Sequence, residues 1–145
     1  MIQAICRGAR AAVSIVLLVA IADCGFTTDP AEMPLTGTWL GHVTLIDGGV
    51  AWQLWLQEDG EGNVSGTVSR TDFRRIPTPS ETISRGTVSG VQVFSDISLT
   101  LDYETSSEDY QGRFRSEDHI SGFIRRGTVV HDIGTLEFRR IPPGP

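Results

Sequence analysis

The sequence contains no lysine and only two cysteines. All twelve basic residues are arginines, and eighteen acidic residues bring the formal net charge to -6. Nucleic-acid phosphates are bound by basic surfaces, so we expect no nucleic-acid partner for a chain of this charge. Both cysteines lie within the first 24 residues, and a disulfide framework is therefore excluded for the rest of the chain.

The chain also lacks an apolar run long enough to cross a bilayer. Its longest run covers residues 11–22, whereas a transmembrane helix needs about 20 apolar residues. Arg7 and Arg10 precede this run, and the combination is typical of a secretory signal peptide. We therefore predict a signal peptide over residues 1–23, a tether over residues 24–34 and a folded domain over residues 35–142.

Two cleavage sites compete after the apolar run. Residues 21–24, Ile-Ala-Asp-Cys, resemble the lipobox of bacterial lipoproteins, with Asp23 where that family prefers glycine, alanine or serine. The resemblance implies a lipid on Cys24, which would attach the protein to the cell envelope, with the outer membrane as its expected location. Residues 20–22, Ala-Ile-Ala, form an alternative site for ordinary signal peptidase, which would release a soluble periplasmic or secreted protein.

Helical periodicity is absent from residue 34 onward. Apolar and polar residues alternate instead, and turn sequences interrupt them at short intervals, as in antiparallel strands. We predict an all-β domain of eight antiparallel strands that run up and down and close into a barrel, because closure removes the exposed edges. A two-sheet sandwich is the alternative. The predicted strands are 37–46, 50–57, 64–70, 83–89, 93–104, 110–115, 119–125 and 128–140, the last with a bulge at Gly134.

The start of the first predicted strand carries a family resemblance. Residues 35–39, Leu-Thr-Gly-Thr-Trp, resemble the G-x-W opening of the calycin barrels, which include the lipocalins and avidins. The resemblance implies that Trp39 lies at the closed end of the barrel and packs against an arginine of the last strand. Arg140 has the inward phase that this pairing requires. Gly41 and Val68 stand where avidins contact biotin through asparagine and tyrosine, so the resemblance does not extend to biotin.

Successive turns of such a barrel alternate between its two ends. The long predicted connection 71–82 lies at the end opposite Trp39, and we expect an open mouth there with Phe73, Arg74 and Arg75 as a partial lid. Aromatic and apolar side chains typically line a ligand pocket. The residues predicted to line this one are Leu45, Trp52, Phe73, Tyr103, Tyr110, Ile124 and His131. The alternative is that these side chains fill the barrel, since barrels of eight strands do both.

No catalytic motif is visible in the sequence, and the strand phases direct His42 and His119 outward but His131 inward. We therefore expect no enzyme, no cofactor and no metal site. The predicted function is non-catalytic binding of a small apolar or amphipathic ligand in the cell envelope. The alternative is a filled barrel that acts as a protein-interaction, assembly or inhibitor lipoprotein through its outer face, for a protein partner that the sequence does not identify. That face is predicted to carry Arg113, Arg115, Phe123, Arg125 and Arg139.

Overall fold

A computed structural model of the protein describes residues 33–126, 129–130 and 135–142. The strands in this part of the chain are β1 (Gly37–Leu45), β2 (Gly48–Glu58), β3 (Asn63–Arg74), β4 (Ser80–Val93), β5 (Asp96–Tyr103), β6 (Ser107–Ser116), β7 (His119–Arg126), β8 (Val129–Val130) and β9 (Leu136–Ile141). None of the described residues belongs to a helix that is long and apolar enough to cross a bilayer. The predicted signal peptide, Cys24, His131 and Gly134 lie outside the described residues.

The antiparallel sheet closes on itself. Consecutive strands pair from β1 to β7, and β9 then pairs with β7 on one side and with β1 on the other. β8 continues the same position in the barrel, because it pairs with β7 beyond β9. The prediction of an eight-stranded antiparallel barrel is confirmed, and β8 and β9 together represent the predicted last strand.

Several predicted turns are wrong because the strands are longer than their sequences suggest. β3 and β4 remain paired up to Arg74 and Ser80, so the connection between them is residues 75–79 rather than 71–82. Gly90, expected at a turn, lies inside β4. A Cβ atom there would come within 2.1 Å of the carbonyl oxygen of Ser98, so glycine allows β5 to approach closely. β6 begins at Ser107 instead of residue 110.

Phe73 is not part of a lid, because the strand that carries it directs it outward. It lies in β3 opposite Gly49 of β2. Side chains alternate along a strand, so Phe73 points to the outer face when Arg70 and Asp72 point inward. Its ring would approach a Cβ atom on Gly49 to 2.6 Å. The glycine therefore accommodates the ring on the outer face. Arg74 and Arg75 are exposed.

The interior of the barrel is packed with the inward residues of each strand. Two glycines leave space that aromatic rings occupy: the ring of Phe138 lies over Gly41, and the ring of Tyr110 lies over Gly112. The buried apolar residues form one core: Leu35, Trp39, Val50, Trp52, Leu54, Leu56, Val64, Val68, Val88, Ile97, Leu99, Leu101, Tyr103, Tyr110, Phe114, Ile120, Ile124, Leu136 and Phe138.

Arg140 seals one end of the barrel. Its guanidinium carbon lies 4.5 Å from the ring centroid of Trp39, so the pairing implied by the sequence resemblance is present. The same guanidinium donates hydrogen bonds to the backbone oxygens of Pro34, Thr36 (2.6 Å) and Glu117 (3.2 Å). One side chain thus joins β9 to the segment before β1 and to the turn between β6 and β7.

The segment before β1 covers this closed end. Leu35 is fully buried, its N–H donates to Oε2 of Glu58 at 2.7 Å, and its carbonyl oxygen accepts the indole hydrogen bond of Trp39 at 2.8 Å. The side-chain amide of Gln92 donates to the carbonyl oxygen of Met33 at 3.0 Å. Residues 33 and 34, expected in the tether, therefore contribute to the barrel end.

Replacing Arg140 with alanine removes the contact with Trp39 and three hydrogen bonds. We expect Arg140→Ala to lower the free energy of unfolding by about 2 kcal/mol, measured by urea titration. Arg139→Ala is the matched control, because Arg139 is exposed and lies 4.0 Å from its nearest carboxylate; its expected cost is below about 0.5 kcal/mol. Equal effects of the two substitutions would show that Arg140 does not seal the barrel.

Candidate functional site

A carboxylate is buried inside the barrel at the end opposite Arg140. Glu108 follows the turn between β5 and β6, whereas Arg140 contacts the turn between β6 and β7, at the other end of β6. Glu108 is 1% exposed, and it is the only charged or polar residue in the fully buried class among the described residues. Burial of a charge is costly unless it is paired, so its surroundings are informative.

Four donors surround the Glu108 carboxylate. Oε1 accepts from Nη1 of Arg70 at 2.7 Å and from Nη2 of Arg126 at 2.8 Å. Oε2 accepts from the indole nitrogen of Trp52 at 3.2 Å and from the phenol oxygen of Tyr103 at 3.3 Å. We call these five residues the mouth cluster. Both carboxylate oxygens are satisfied, which makes burial of the charge tolerable.

Strand register brings the mouth cluster together. Trp52 of β2 lies opposite Arg70 of β3, and the guanidinium carbon of Arg70 is 5.8 Å from the indole centroid. On the other side of Arg70, β4 contributes the smaller Ser84. Arg70 also binds Oδ1 of Asp72 at 2.6 Å, so the cluster extends toward the barrel rim.

The two arginines of the mouth cluster have unused hydrogen-bonding capacity. The Nε atoms of Arg70 and Arg126 are buried and have no hydrogen-bond partner within the described residues. The side chain of Arg126 is nevertheless 40% exposed, so it can be approached from outside the barrel. Buried ionic groups contribute little net stability compared with apolar packing, and their presence at a barrel mouth therefore marks a candidate binding site.

The predicted pocket residues separate into different environments. Trp52 and Tyr103 belong to the mouth cluster. Tyr110 and Ile124 lie opposite each other deeper in the barrel and are 1% and 2% exposed. Leu45, expected to point inward, is 48% exposed, because it is the last residue of β1 and lies beside a tight turn. Phe73 lies on the outer face, as described above, and His131 is outside the described residues.

Sequence reasoning missed the charged members of the mouth cluster. The predicted strands 93–104 and 110–115 leave Glu108 in a turn, although it continues the inward phase of Tyr110, Gly112 and Phe114 by one further step of two residues. Arg70 similarly shares the phase of the buried Val68. Alternation therefore predicts an inward position for both residues. Their charge argues against burial as long as their partners on other strands are unknown.

The outer face of β5, β6 and β7 carries a shallow groove of about 550 Å³. Arg113 in this groove pairs with Asp96 at 2.6 Å, but both side chains are more than half exposed, and such pairs contribute little stability. Phe123 lines the groove as well, with the guanidinium of Arg125 at 5.0 Å from its ring centroid. Within the described part of the chain, no three histidine, cysteine, aspartate or glutamate side chains converge as metal ligands.

No protein-family model matches this chain, and no match is found among curated proteins. The geometry is therefore the basis for any statement about function. A closed barrel of eight antiparallel strands is compatible with a calycin-like fold and with a binding role.

Both tyrosines of the chain are buried, and this predicts their titration. Burial, reinforced by the negative charge of Glu108, raises the pKa of Tyr103, and burial together with Glu137 raises the pKa of Tyr110. A phenol with a raised pKa in the folded state stabilises the fold below its unfolded value of about 10, and this stability is lost as the pH rises further. We expect tyrosinate absorbance to appear only with alkaline unfolding. A midpoint near the unfolded value in a still-folded barrel would contradict the burial of these rings.

Removing the central carboxylate leaves Arg70 with Asp72 alone and takes the acceptor from Arg126 and from the buried donors of Trp52 and Tyr103. We expect Glu108→Ala to lower the free energy of unfolding by about 3 kcal/mol, because buried donors lose their acceptor. Glu104→Ala is the control, since Glu104 is exposed in the adjoining turn. The double substitution Arg70→Met with Glu108→Leu should recover part of the loss, because it removes the more deeply buried arginine together with its acceptor. A Glu108→Ala protein as stable as the Glu104→Ala control would be incompatible with the mouth cluster.

Proposed function

We propose that this protein is a non-catalytic binding protein of the bacterial cell envelope. Its ligand is a small amphipathic molecule, whose polar head meets the mouth cluster at the half-exposed Arg126. The observation that carries the proposal is a buried ionic cluster at one end of an otherwise apolar barrel, with two donors that have no partner among the described residues.

The unused donors define what the head group supplies. Nε of Arg70 and Nε of Arg126 each need an acceptor, and oxygen atoms of a hydroxyl, carbonyl or acidic group provide one. Arg126 is the accessible member of the cluster, so a ligand that enters from the mouth meets this residue first. The guanidinium groups are held by Glu108 before the ligand arrives, which reduces the cost of ordering them on binding.

The envelope location is supported by the sequence of the first 24 residues. A short apolar run after two arginines indicates export, and a lipid on Cys24 accounts for an unpaired cysteine in an oxidising compartment. Cleavage after Ala22 gives instead a soluble periplasmic or secreted form.

A second candidate function is favoured by a specific observation, the dense packing of the interior. Aromatic rings cover Gly41 and Gly112, and Trp52, Tyr103, Tyr110 and Ile124 are all buried. A filled barrel of this kind would bind a protein partner through the outer groove that contains Phe123 and Arg113. This candidate needs no ligand in the barrel.

Native mass spectrometry distinguishes the two functions. The chain from residue 24 onward, with Cys24→Ser, is purified gently from the periplasm and also exposed to envelope lipid extract. We expect a bound mass that Arg126→Met abolishes, because the exposed member of the mouth cluster is lost. Arg125→Met should retain it, since Arg125 is the neighbouring exposed residue on β7 and stacks on Phe123 outside the barrel.

A ligand-free mass before and after exposure to the extract would reject the first function. The second candidate then requires that a partner be captured by the intact barrel and lost on Phe123→Ser. Thermal unfolding of each variant separates loss of binding from loss of the fold.

A further inference from the structure

We infer that the open end of the barrel inserts two adjacent turns into the surface of an anionic phospholipid bilayer. The turns are residues 46–47, between β1 and β2, and residues 75–79, between β3 and β4; together with Leu45 and Arg74, the strand residues that precede them, they are called the tip. The inference rests on the proposed function and extends it, because it names the surface from which an amphipathic ligand would be collected.

The tip exposes apolar side chains to an unusual degree. Ile46 is 99% exposed, Ile76 is 59% exposed and Leu45 is 48% exposed. The N–H of Arg75 donates to the carbonyl oxygen of Asp47 at 2.8 Å, which holds the two turns side by side. Tight turns normally carry glycine or polar residues, and this tip instead presents three large aliphatic side chains together.

The shape and charge of the tip favour a bilayer over a protein surface. A nearly fully exposed side chain on a turn is convex, whereas protein interfaces are built from flatter patches with a buried centre. Within the tip, Arg74 and Arg75 outnumber Asp47; of the acidic residues that flank it on β3 and β4, Asp72 is paired with Arg70 and Glu81 is exposed. Aliphatic side chains beside arginines are suited to the interface of an anionic membrane.

The tip lies next to the mouth cluster. Gly48 at the start of β2 is paired with Arg74, and four residues further along the same ladder Trp52 is paired with Arg70. A molecule that leaves the bilayer at the tip is therefore separated from the mouth cluster by only one short section of the strand pair. This arrangement links the apolar tip to the ligand site.

A second exposed apolar group serves as an internal comparison. Val93 and Phe94 are 57% and 78% exposed, but they lie at the closed end, where Gln92 also contacts the turn that carries Asp59 and Glu61. Acidic neighbours disfavour an anionic surface. Substitutions there change a similar amount of exposed apolar surface without touching the tip.

Vesicle flotation tests the inference on the chain from residue 24 onward with Cys24→Ser, so that no acyl group contributes. The probes are phosphatidylcholine vesicles with and without phosphatidylglycerol. We expect binding that is stronger with phosphatidylglycerol and weaker at high salt. Ile46→Ser with Ile76→Ser should lower the partition coefficient about tenfold, Val93→Ser with Phe94→Ser should leave it unchanged, and Arg74→Gln with Arg75→Gln should remove the lipid preference.

Absence of binding to both vesicles overturns the inference, and so does a greater loss in the Val93 and Phe94 variant than in the tip variant. Tip variants that bind vesicles as strongly as the parent protein does also overturn it. If those variants lose a binding partner instead, the tip is a surface for a protein. Arg126→Met separates the two proposals. Arg126→Met should bind vesicles as the parent protein does but lose the bound ligand, and this result concerns the ligand site only. A protein that retains its bound ligand but does not bind vesicles rejects the inference about the tip and leaves the proposed function intact.

Discussion

The pairing of β9 with both β7 and β1 determines which surfaces of this chain are inside. Leu136–Ile141 supplies hydrogen bonds to two strands that would otherwise be edges, and it thereby converts a curved sheet into a barrel. The alternate residues of every strand then meet around one axis. β9 also carries Arg140, so the strand that closes the wall places the side chain that covers one end.

The two ends of the barrel use arginine in different ways. At the closed end, Arg140 lies on an indole and donates to neutral backbone oxygens, which requires no buried counter-charge. At the mouth, Arg70 and Arg126 converge on a buried carboxylate. The first arrangement holds the segment before β1 against β9 and gives the Arg140 guanidinium three backbone acceptors. The second concentrates charge in a region of low polarity, where electrostatic interactions are stronger than in water.

Alternation in the sequence was sufficient for the architecture but not for the mouth. The strand number and the up-and-down order follow from alternation and turn spacing. The contact between Trp39 and Arg140 follows from the resemblance to the calycin opening, together with the inward phase of Arg140. The extents of β3, β4 and β6 do not, because polar residues and Gly90 resemble turns when their cross-strand partners are unknown. Glu108 was missed for the same reason: a carboxylate is assigned to the interior only when the donors on other strands can be placed beside it.

The contact of Arg140 with the segment before β1 has a consequence for the order in which the chain can fold. Arg140 binds the carbonyl oxygen of Pro34, a residue that precedes it by 106 positions. A chain emerging from the ribosome N-terminus first therefore exposes Leu35 and Trp39 long before their cover has been synthesised. Contacts between such distant residues close late in folding. Completion of this barrel consequently waits until β9 has been synthesised.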